Sequence, residues 1–301
     1  MTHEEKVQQW IGVGKMGTEI GPGAAPVPGF DPRPIFVDCF KSFGTAPNFA
    51  DYYGHAGALP FHDHSLDYVV ASHVLEHVAN PIAALTEWYR VVRPGGILYL
   101  VVPDRRTTWE HTRGLTPVAH FFEDHARGTT ASDATHIDEF VYEADWSRYS
   151  PETPPDEVPA AQARLARGMH EAVQRGEDIN IHFHTFEPAN LRELLEALAQ
   201  APVGRAESPG ASPSNPGGPG DPARPIVPRF HWEIVDFEAG FPRCNPNGVL
   251  AVLRVHKGWR ARGEADALRI RTRGNPQAVL RPDAEPFAAW AARTSGLGGV
   301  K

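Results

Sequence analysis

The sequence predicts an α/β fold: a mostly parallel sheet, closed by a late antiparallel hairpin, with a helical cap inserted. Three observations carry this. Leu66–Ala71 and Ile97–Val102 are short apolar, β-branched runs that suit buried strands. Between them Asn80-Pro81 offers a helix N-cap and a proline at the first helical position, and Ile82, Leu85, Trp88, Tyr89 and Val92 share one helical face. Strand, helix and strand within about forty residues form a βαβ unit, so the two strands are parallel. Later, His231–Phe237 and Val249–Val255 alternate as paired strands joined through Pro242–Gly248.

The remaining elements follow in order. Lys15–Ile20 and Ile35–Asp38 read as two earlier short strands. Residues 105–185 are long and rich in histidine, and are expected to cap the carboxyl ends of the strands, where open α/β sheets bind ligands. Leu191, Leu194, Leu195 and Leu198 mark a further amphipathic helix, started near Thr185. Residues 202–228 hold eight prolines and five glycines, too many for a packed element, and are expected to be a mobile insertion. The expected division is a core of 12–104 plus 186–257, a cap of 105–185, and a peripheral tail of 258–301 with one helix near Pro286–Arg293.

Composition narrows the function classes. Across 301 residues the net charge is −8, which disfavours nucleic acid as a partner, because phosphate contacts need surplus Lys and Arg. No apolar run reaches the roughly 18 residues a membrane helix needs, and the N-terminus lacks an apolar leader segment. Cys39 and Cys244 form no CxxC pair and no disulfide framework. The expectation is a cytoplasmic enzyme without a membrane partner, with homo-oligomerisation open.

The sharpest local feature is Glu19-Ile20-Gly21-Pro22-Gly23-Ala24 at the end of the first strand. Glycines there allow a tight turn and close approach to a ligand. Asp38 ends the second strand, where a carboxylate can bind both hydroxyls of a ribose. Dinucleotide and S-adenosylmethionine (SAM) sites share this pair of features. A dinucleotide needs its pyrophosphate on a helix N-terminus. Pro26, Pro28, Gly29, Pro32 and Pro34 leave no room for that helix, so the sequence favours SAM over NAD.

A longer pattern agrees. Leu59-Pro60-Phe61, Leu66-Asp67-Tyr68, Ser72-His73-Val74-Leu75-Glu76-His77-Val78 and Arg90-Val91-Val92-Arg93-Pro94-Gly95-Gly96 resemble the signature run of class I SAM-dependent methyltransferases of the type 11 group. Val102–Arg106, Leu115–Pro117, His136–Phe140 and Ile181–His184 resemble a bacterial subfamily of that group. The resemblance spans roughly residues 15–200 and returns at Asn247–Val255. It implies a Rossmann-like, seven-stranded class I methyltransferase sheet with SAM across its carboxyl edge. Glu19, Gly21 and Gly23 would face the methionine part and Asp38 the ribose. Ala58 and Leu59 would flank the adenine, and Ser72 and His73 would lie below the sulfonium. The sequence departs from the pattern at His55, where many relatives carry an Asp that reads the adenine amine, so weaker or backbone-only adenine recognition is expected.

Other patterns compete. His73-Val74-Leu75-Glu76-His77 also fits an inverted zinc-protease motif, which would need one long helix across both histidines. His182-Phe183-His184 in extended chain would aim two imidazoles to one side, and with Asp104, His111, His120, Glu123, His136 and Asp138 could form a metal or acid/base cluster. The bland reading, structural histidines and no metal, is preferred. Cys39 reads as a small buried residue, and Trp109, Phe121 and Phe122 as cap core. Methyl transfer is an in-line displacement, and a base is needed only if the acceptor must lose a proton. Asp104, His111 and His184 are the candidates for that role. The expected acceptor is a small molecule, such as a sugar or secondary metabolite, methylated on O or N in preference to C. An NAD(P)-dependent oxidoreductase and a non-catalytic ligand-binding protein of the same fold are the alternatives.

Overall fold

The structure is a computed structural model describing residues 1–40, 42–43, 46–48, 50–200, 230–257 and 279–280. Its sheet contains β1 (Gly17–Ile20), β2 (Ile35–Asp38), β3 (Tyr52–Tyr53), β4 (Leu66–Ser72), β5 (Val92–Pro103), β6 (Trp232–Phe241), β7 (Gly248–Val255) and the short edge strand β8 (Val279–Leu280). The spatial order is β8-β3-β2-β1-β4-β5-β7-β6. Strands β3 to β5 and β1 to β2 run parallel, while β7 is antiparallel to both β5 and β6. The hairpin is the one the alternation predicts. β8, the only described part of residues 258–301, pairs antiparallel with β3 at the sheet edge.

The chain starts β1, moves outward to β2 and β3, then returns to the other side of β1 for β4 and β5. Neighbouring connections therefore leave opposite faces at the carboxyl ends of β1 and β4, which opens a crevice there. β1 and β2 are buried throughout, as strands covered on both faces should be.

The predicted helix is α2 (Pro81–Val91): the Asn80 side chain accepts the Ala83 N–H at 3.0 Å and Pro81 opens the helix. Its buried face of Ile82, Leu85 and Trp88 packs on Val69, Leu98 and Leu100 of the sheet. α7 (Pro188–Gln200) adds Leu191, Leu194, Leu195 and Leu198 to the same layer. It begins three residues later than Thr185 suggests, because the Thr185 hydroxyl is tied instead to the Gly114 carbonyl at 2.7 Å.

No helix intervenes between β1 and β2, as the prolines require. The opposite face of the sheet is covered by α1 (His3–Trp10), an element the sequence reading missed, whose Val7 packs with Tyr68, Val70 and Tyr99. Val27 and Phe30 of the proline-rich segment complete that layer, Phe30 stacking on Tyr68 at 5.0 Å.

Residues 105–185 carry α3 (Val118–Arg127), α4 (Ile137–Glu143), α5 (Trp146–Tyr149) and α6 (Val158–Gln174). A third apolar cluster joins Phe140, Trp146, Ala161, Ile181 and Phe183, with Trp109 against it. Phe121 departs from the cap-core expectation: it is buried in the main core, stacked on Phe186 at 5.5 Å. The 202–228 insertion and the helix near Pro286–Arg293 lie outside the described residues. Among the described residues no helix is long and apolar enough to cross a membrane.

Candidate functional site

A cavity of about 480 Å3 opens at the crevice between the ends of β1 and β4. Its floor is the glycine turn. Gly21 has φ +63° and Gly23 has φ +54°, a region that favours glycine. A Cβ on Gly21 would come within 2.7 Å of the Val74 side chain, while Gly23 faces open space. A side chain at position 21 would therefore have to displace Val74, another residue of the cavity lining. Asp38, from the end of β2, lines the same cavity and accepts the Phe40 N–H at 2.9 Å.

The opposite wall comes from β4 onward. His73 is a non-glycine residue at φ +56°, a strained conformation that turns the chain sharply out of the strand. Only a short 3-10 turn, Leu75–His77, follows. The long helix needed by a zinc-protease motif is absent from this described stretch, so His73 and His77 do not share a helical face. Both instead line the cavity. Glu76, fully buried between them, faces His73 Nδ1 at 3.5 Å. Burial alone would push the Glu76 carboxyl up, but His73, His77 and His182 around it outweigh that and hold it below the usual carboxylate range. Burial, only partly offset by Glu76, holds the His77 imidazole below its ordinary value.

The structure separates the sequence-derived site residues into two groups. Gly21, Gly23, Asp38 and His73 line the cavity together. Glu19 sits behind the turn, 1% exposed, with Oε1 accepting the Val27 N–H at 2.9 Å. Burial pushes its carboxyl up to about 8. Ser72, Ala58 and Leu59 are not in the lining either. Leu59 is buried and its N–H donates to Glu87, so the adjacent His55, Ala56 and Gly57 form that wall instead.

The three expected bases also lie elsewhere. Asp104 is buried and held by Arg106 at 2.8 and 2.5 Å. His111 pairs with Asp145 at 3.6 Å, near the surface. His184 is fully buried with its Nε2 2.9 Å from Asp124. Nor do His182 and His184 act together: His182 faces Glu110 at 2.9 Å, while His184 joins Asp124. The chain between them is irregular, so the alternation of an extended strand does not apply.

In their place the structure brings His77, Asn80, Thr129, Thr130, Asp178 and Asn180 to the cavity. Cys39 lines it as well, exposed and not buried. His55 Nε2 stands 3.7 Å from Asp178 Oδ2. Asp178 and Asn180 carried no signal in the sequence, since they lie in a loop more than 120 residues downstream of His55.

Residues 11–100 match the family model described as a methyltransferase domain. That segment is similar to a methyltransferase domain over less than half of the chain. It runs from just before β1 to the middle of β5 and so includes both walls of the crevice. Over 85 residues the chain is 36% identical to a probable S-adenosylmethionine-dependent methyltransferase of Mycolicibacterium smegmatis, covering 28% of this chain and 31% of that protein. Over 91 residues it is 37% identical to an uncharacterized methyltransferase of Mycolicibacterium vanbaalenii, covering 29% and 33%. The matches thus span about a third of the length of these relatives. A solved SAM-dependent methyltransferase of Methanosarcina mazei is 14% identical, with a TM-score of 0.40 over 86% of this chain and 100% of that one.

SAM is the cofactor of the methyltransferase domain, and the residues present fit it. Gly21 and Gly23 keep the turn free of side chains, and one at position 21 would collide with Val74 in the cavity wall. Asp38 offers a carboxylate at the end of β2. The volume lies within the roughly 300–1,000 Å3 of small-ligand sites. A dinucleotide is served less well, since no helix starts between Gly23 and β2 to receive a pyrophosphate.

Proposed function

We propose that this protein is a SAM-dependent methyltransferase acting on a small molecule through a hydroxyl or amine. The observation that carries this reading is the crevice itself, with the glycine turn and Asp38 on one side and His73 and His77 on the other. Bound SAM supplies a methyl group already activated by its sulfonium. The protein's part is to hold the cofactor, orient the acceptor and accept a proton.

Gly21 and Gly23 let the backbone pass beneath the methionine part, and Asp38 accepts from the ribose hydroxyls. Asp178, beside His55, supplies the carboxylate that His55 does not, and accepts from the adenine amine. This replaces the weaker adenine recognition that His55 suggested. His77 takes the place of Asp104, His111 and His184 as general base. Its imidazole lines the cavity, and burial keeps it neutral near pH 7, so a ring nitrogen can accept the acceptor's proton as the methyl arrives. His73, paired with Glu76, positions the loop. Asn80, Thr130 and Asn180 offer polar contacts to the acceptor. The acidic net charge favours a neutral or cationic small molecule over nucleic acid. The cap, residues 105–185, is the acceptor-selecting part of the chain on this reading.

The test is calorimetric titration of the purified protein with SAM, S-adenosylhomocysteine and NAD, followed by turnover on a panel of hydroxyl and amine acceptors. Micromolar binding of both adenosyl ligands, lost in Asp38→Ala, with NAD silent, is the expected result. NAD binding without adenosyl binding would overturn it. Adenosyl binding with no turnover on any acceptor would favour the non-catalytic reading.

A further inference from the structure

Within residues 105–185, four side chains from three segments point their ligand atoms at one spot. His120 and Asp124 lie one turn apart on α3, His136 precedes α4, and His184 precedes α7. The Nε2 atoms of the three histidines and Oδ2 of Asp124 all fall within 4.8 Å of one another. The separations are 2.9 Å for His184 to Asp124, 3.0 Å for His120 to His136, 3.3 Å for His120 to Asp124 and 3.6 Å for His136 to Asp124. Bonds of about 2.0–2.1 Å to a tetrahedral zinc ion place ligand atoms about 3.3 Å apart.

The surroundings orient the lone pairs of His136 and His120, whereas the buried Nδ1 of His184 has no hydrogen-bond partner. The Thr135 hydroxyl donates to Asp133 Oδ1 at 2.5 Å, so its oxygen accepts from His136 Nδ1, 3.0 Å away. A neutral His136 then has its proton on Nδ1 and a lone pair on Nε2. His120 Nδ1 lies 3.5 Å from the Glu123 carboxylate, which favours the same tautomer. Two imidazole lone pairs therefore face each other at 3.0 Å, beside a carboxylate oxygen. With both rings neutral that repulsion stands, and either a cation at the centre or a proton on one ring removes it. Asp124 is prepared in the same way: Oδ1 accepts from Arg127 at 2.6 Å and Thr129 at 3.0 Å, which aims Oδ2 at the histidines. Carboxylate and hydroxyl groups that orient ligating histidines are the usual outer shell of a metal site.

We propose that His120, Asp124, His136 and His184 form a structural site for a divalent cation of the zinc class. Three imidazoles and one carboxylate suit zinc or cobalt better than magnesium or calcium, which prefer oxygen. Four protein ligands close the coordination sphere, so the ion has a structural and not a catalytic role. Asp124, His136 and His184 are almost wholly buried, while His120 is 31% exposed and gives the ion a path in. The ion ties α3 to the segments before α4 and α7. Thr129–Ala131 and Ile179–Asn180, which line the cavity, are thereby held beside it. A metal at this site departs from the sequence-based expectation of none. The site does not depend on the methyltransferase reading, because its ligands lie outside the cavity lining.

The full-length protein, stripped with a chelator, is titrated with zinc and separately with cobalt, and bound metal is measured by elemental analysis. One equivalent of zinc per chain, a cobalt spectrum of tetrahedral type and a raised Tm on loading are expected. Asp124→Asn and His136→Gln should lose the metal, while His111→Ala keeps it. Thr135→Val, which removes only the outer partner, should weaken zinc about 10–100-fold. It decides the matter if the ligand variants fail to fold, which near-ultraviolet circular dichroism reports. No stoichiometric binding by the wild-type chain would overturn the proposal. So would an equivalent of zinc retained in Asp124→Asn and lost in His182→Gln, which would move the ion to Glu76, His77 and His182.

Discussion

His55 and Asp178 meet across one wall of the cavity, with Nε2 and Oδ2 3.7 Å apart. They are separated by more than 120 residues, and Asp178 stands in the loop after α6. A carboxylate can thus reach that wall from the cap side of the chain. If Asp178 accepts from the adenine amine, Asp178→Asn should weaken S-adenosylhomocysteine binding about tenfold, the scale of one charge-assisted hydrogen bond after allowance for solvent. His55→Asp should bring no gain, because it sets a second carboxylate beside the first. Calorimetry on both variants checks this, and a gain in His55→Asp would remove Asp178 from the role.

His77→Gln should leave S-adenosylhomocysteine affinity within a factor of two or so and lower kcat about 10²–10⁴-fold on a hydroxyl acceptor, the usual worth of a general base. Because burial holds His77 below its ordinary value, the wild-type rate should rise with pH through an apparent pKa below about 6.5 and then level off. The variant should lack that rise. Unchanged kcat in His77→Gln would exclude the imidazole as base.

Glu19 makes stability depend on pH. Its folded pKa is about 8, raised by burial from an ordinary value of 4.5. The folded chain therefore holds a proton that the unfolded chain gives up between these values, and stability falls as pH rises through that window. The contribution is complete below about 4.5 and gone above about 8. Glu19→Gln keeps an acceptor for the Val27 N–H and cannot ionise. Its unfolding free energy should exceed that of wild type at pH 9 by a few kcal/mol, at most about 4 to 5, and converge on it near pH 5. Denaturant titrations at the two pH values test the sign.

Lys257 closes α2 from the end of β7. Its ammonium donates to the carbonyls of Val92 at 2.5 Å, Arg90 at 3.3 Å and Tyr89, and lies 4.5 Å from the Tyr89 ring centre. Burial pushes the Lys257 ammonium down to about 7, so its charge offsets the helix dipole below that pH, while its N–H groups satisfy orphan acceptors. Lys257→Met should cost about 1–2 kcal/mol, with adenosyl binding unchanged. A stability equal to wild type would mean that water replaces the ammonium at no cost.

The elements of the sheet were legible because their signals are local. Leu66–Ala71 and Ile97–Val102 are apolar runs, Asn80-Pro81 caps a helix, and prolines after Gly23 forbid one; each is decided within a few residues. The glycine turn and Asp38 were legible for the same reason, since a turn and a strand end fix their own positions. Helix α1 was missed because its apolar face is little more than Val7, Trp10 and Ile11, too few to show a period.

The rest of the site belongs to the tertiary structure. Asp104, His111 and His184 are chemically competent, but Arg106, Asp145 and Asp124 engage them away from the cavity. His77, Asp178 and Asn180 reach the cavity only through the sharp turn at His73 and the return of the cap. The sequence by itself determined the sheet, its glycine turn and the class of cofactor, because backbone periodicity and steric rules act over neighbouring residues. Only the folded chain decided which histidines face the cavity and which converge on Asp124, because side chains far apart in sequence meet only where packing brings their segments together.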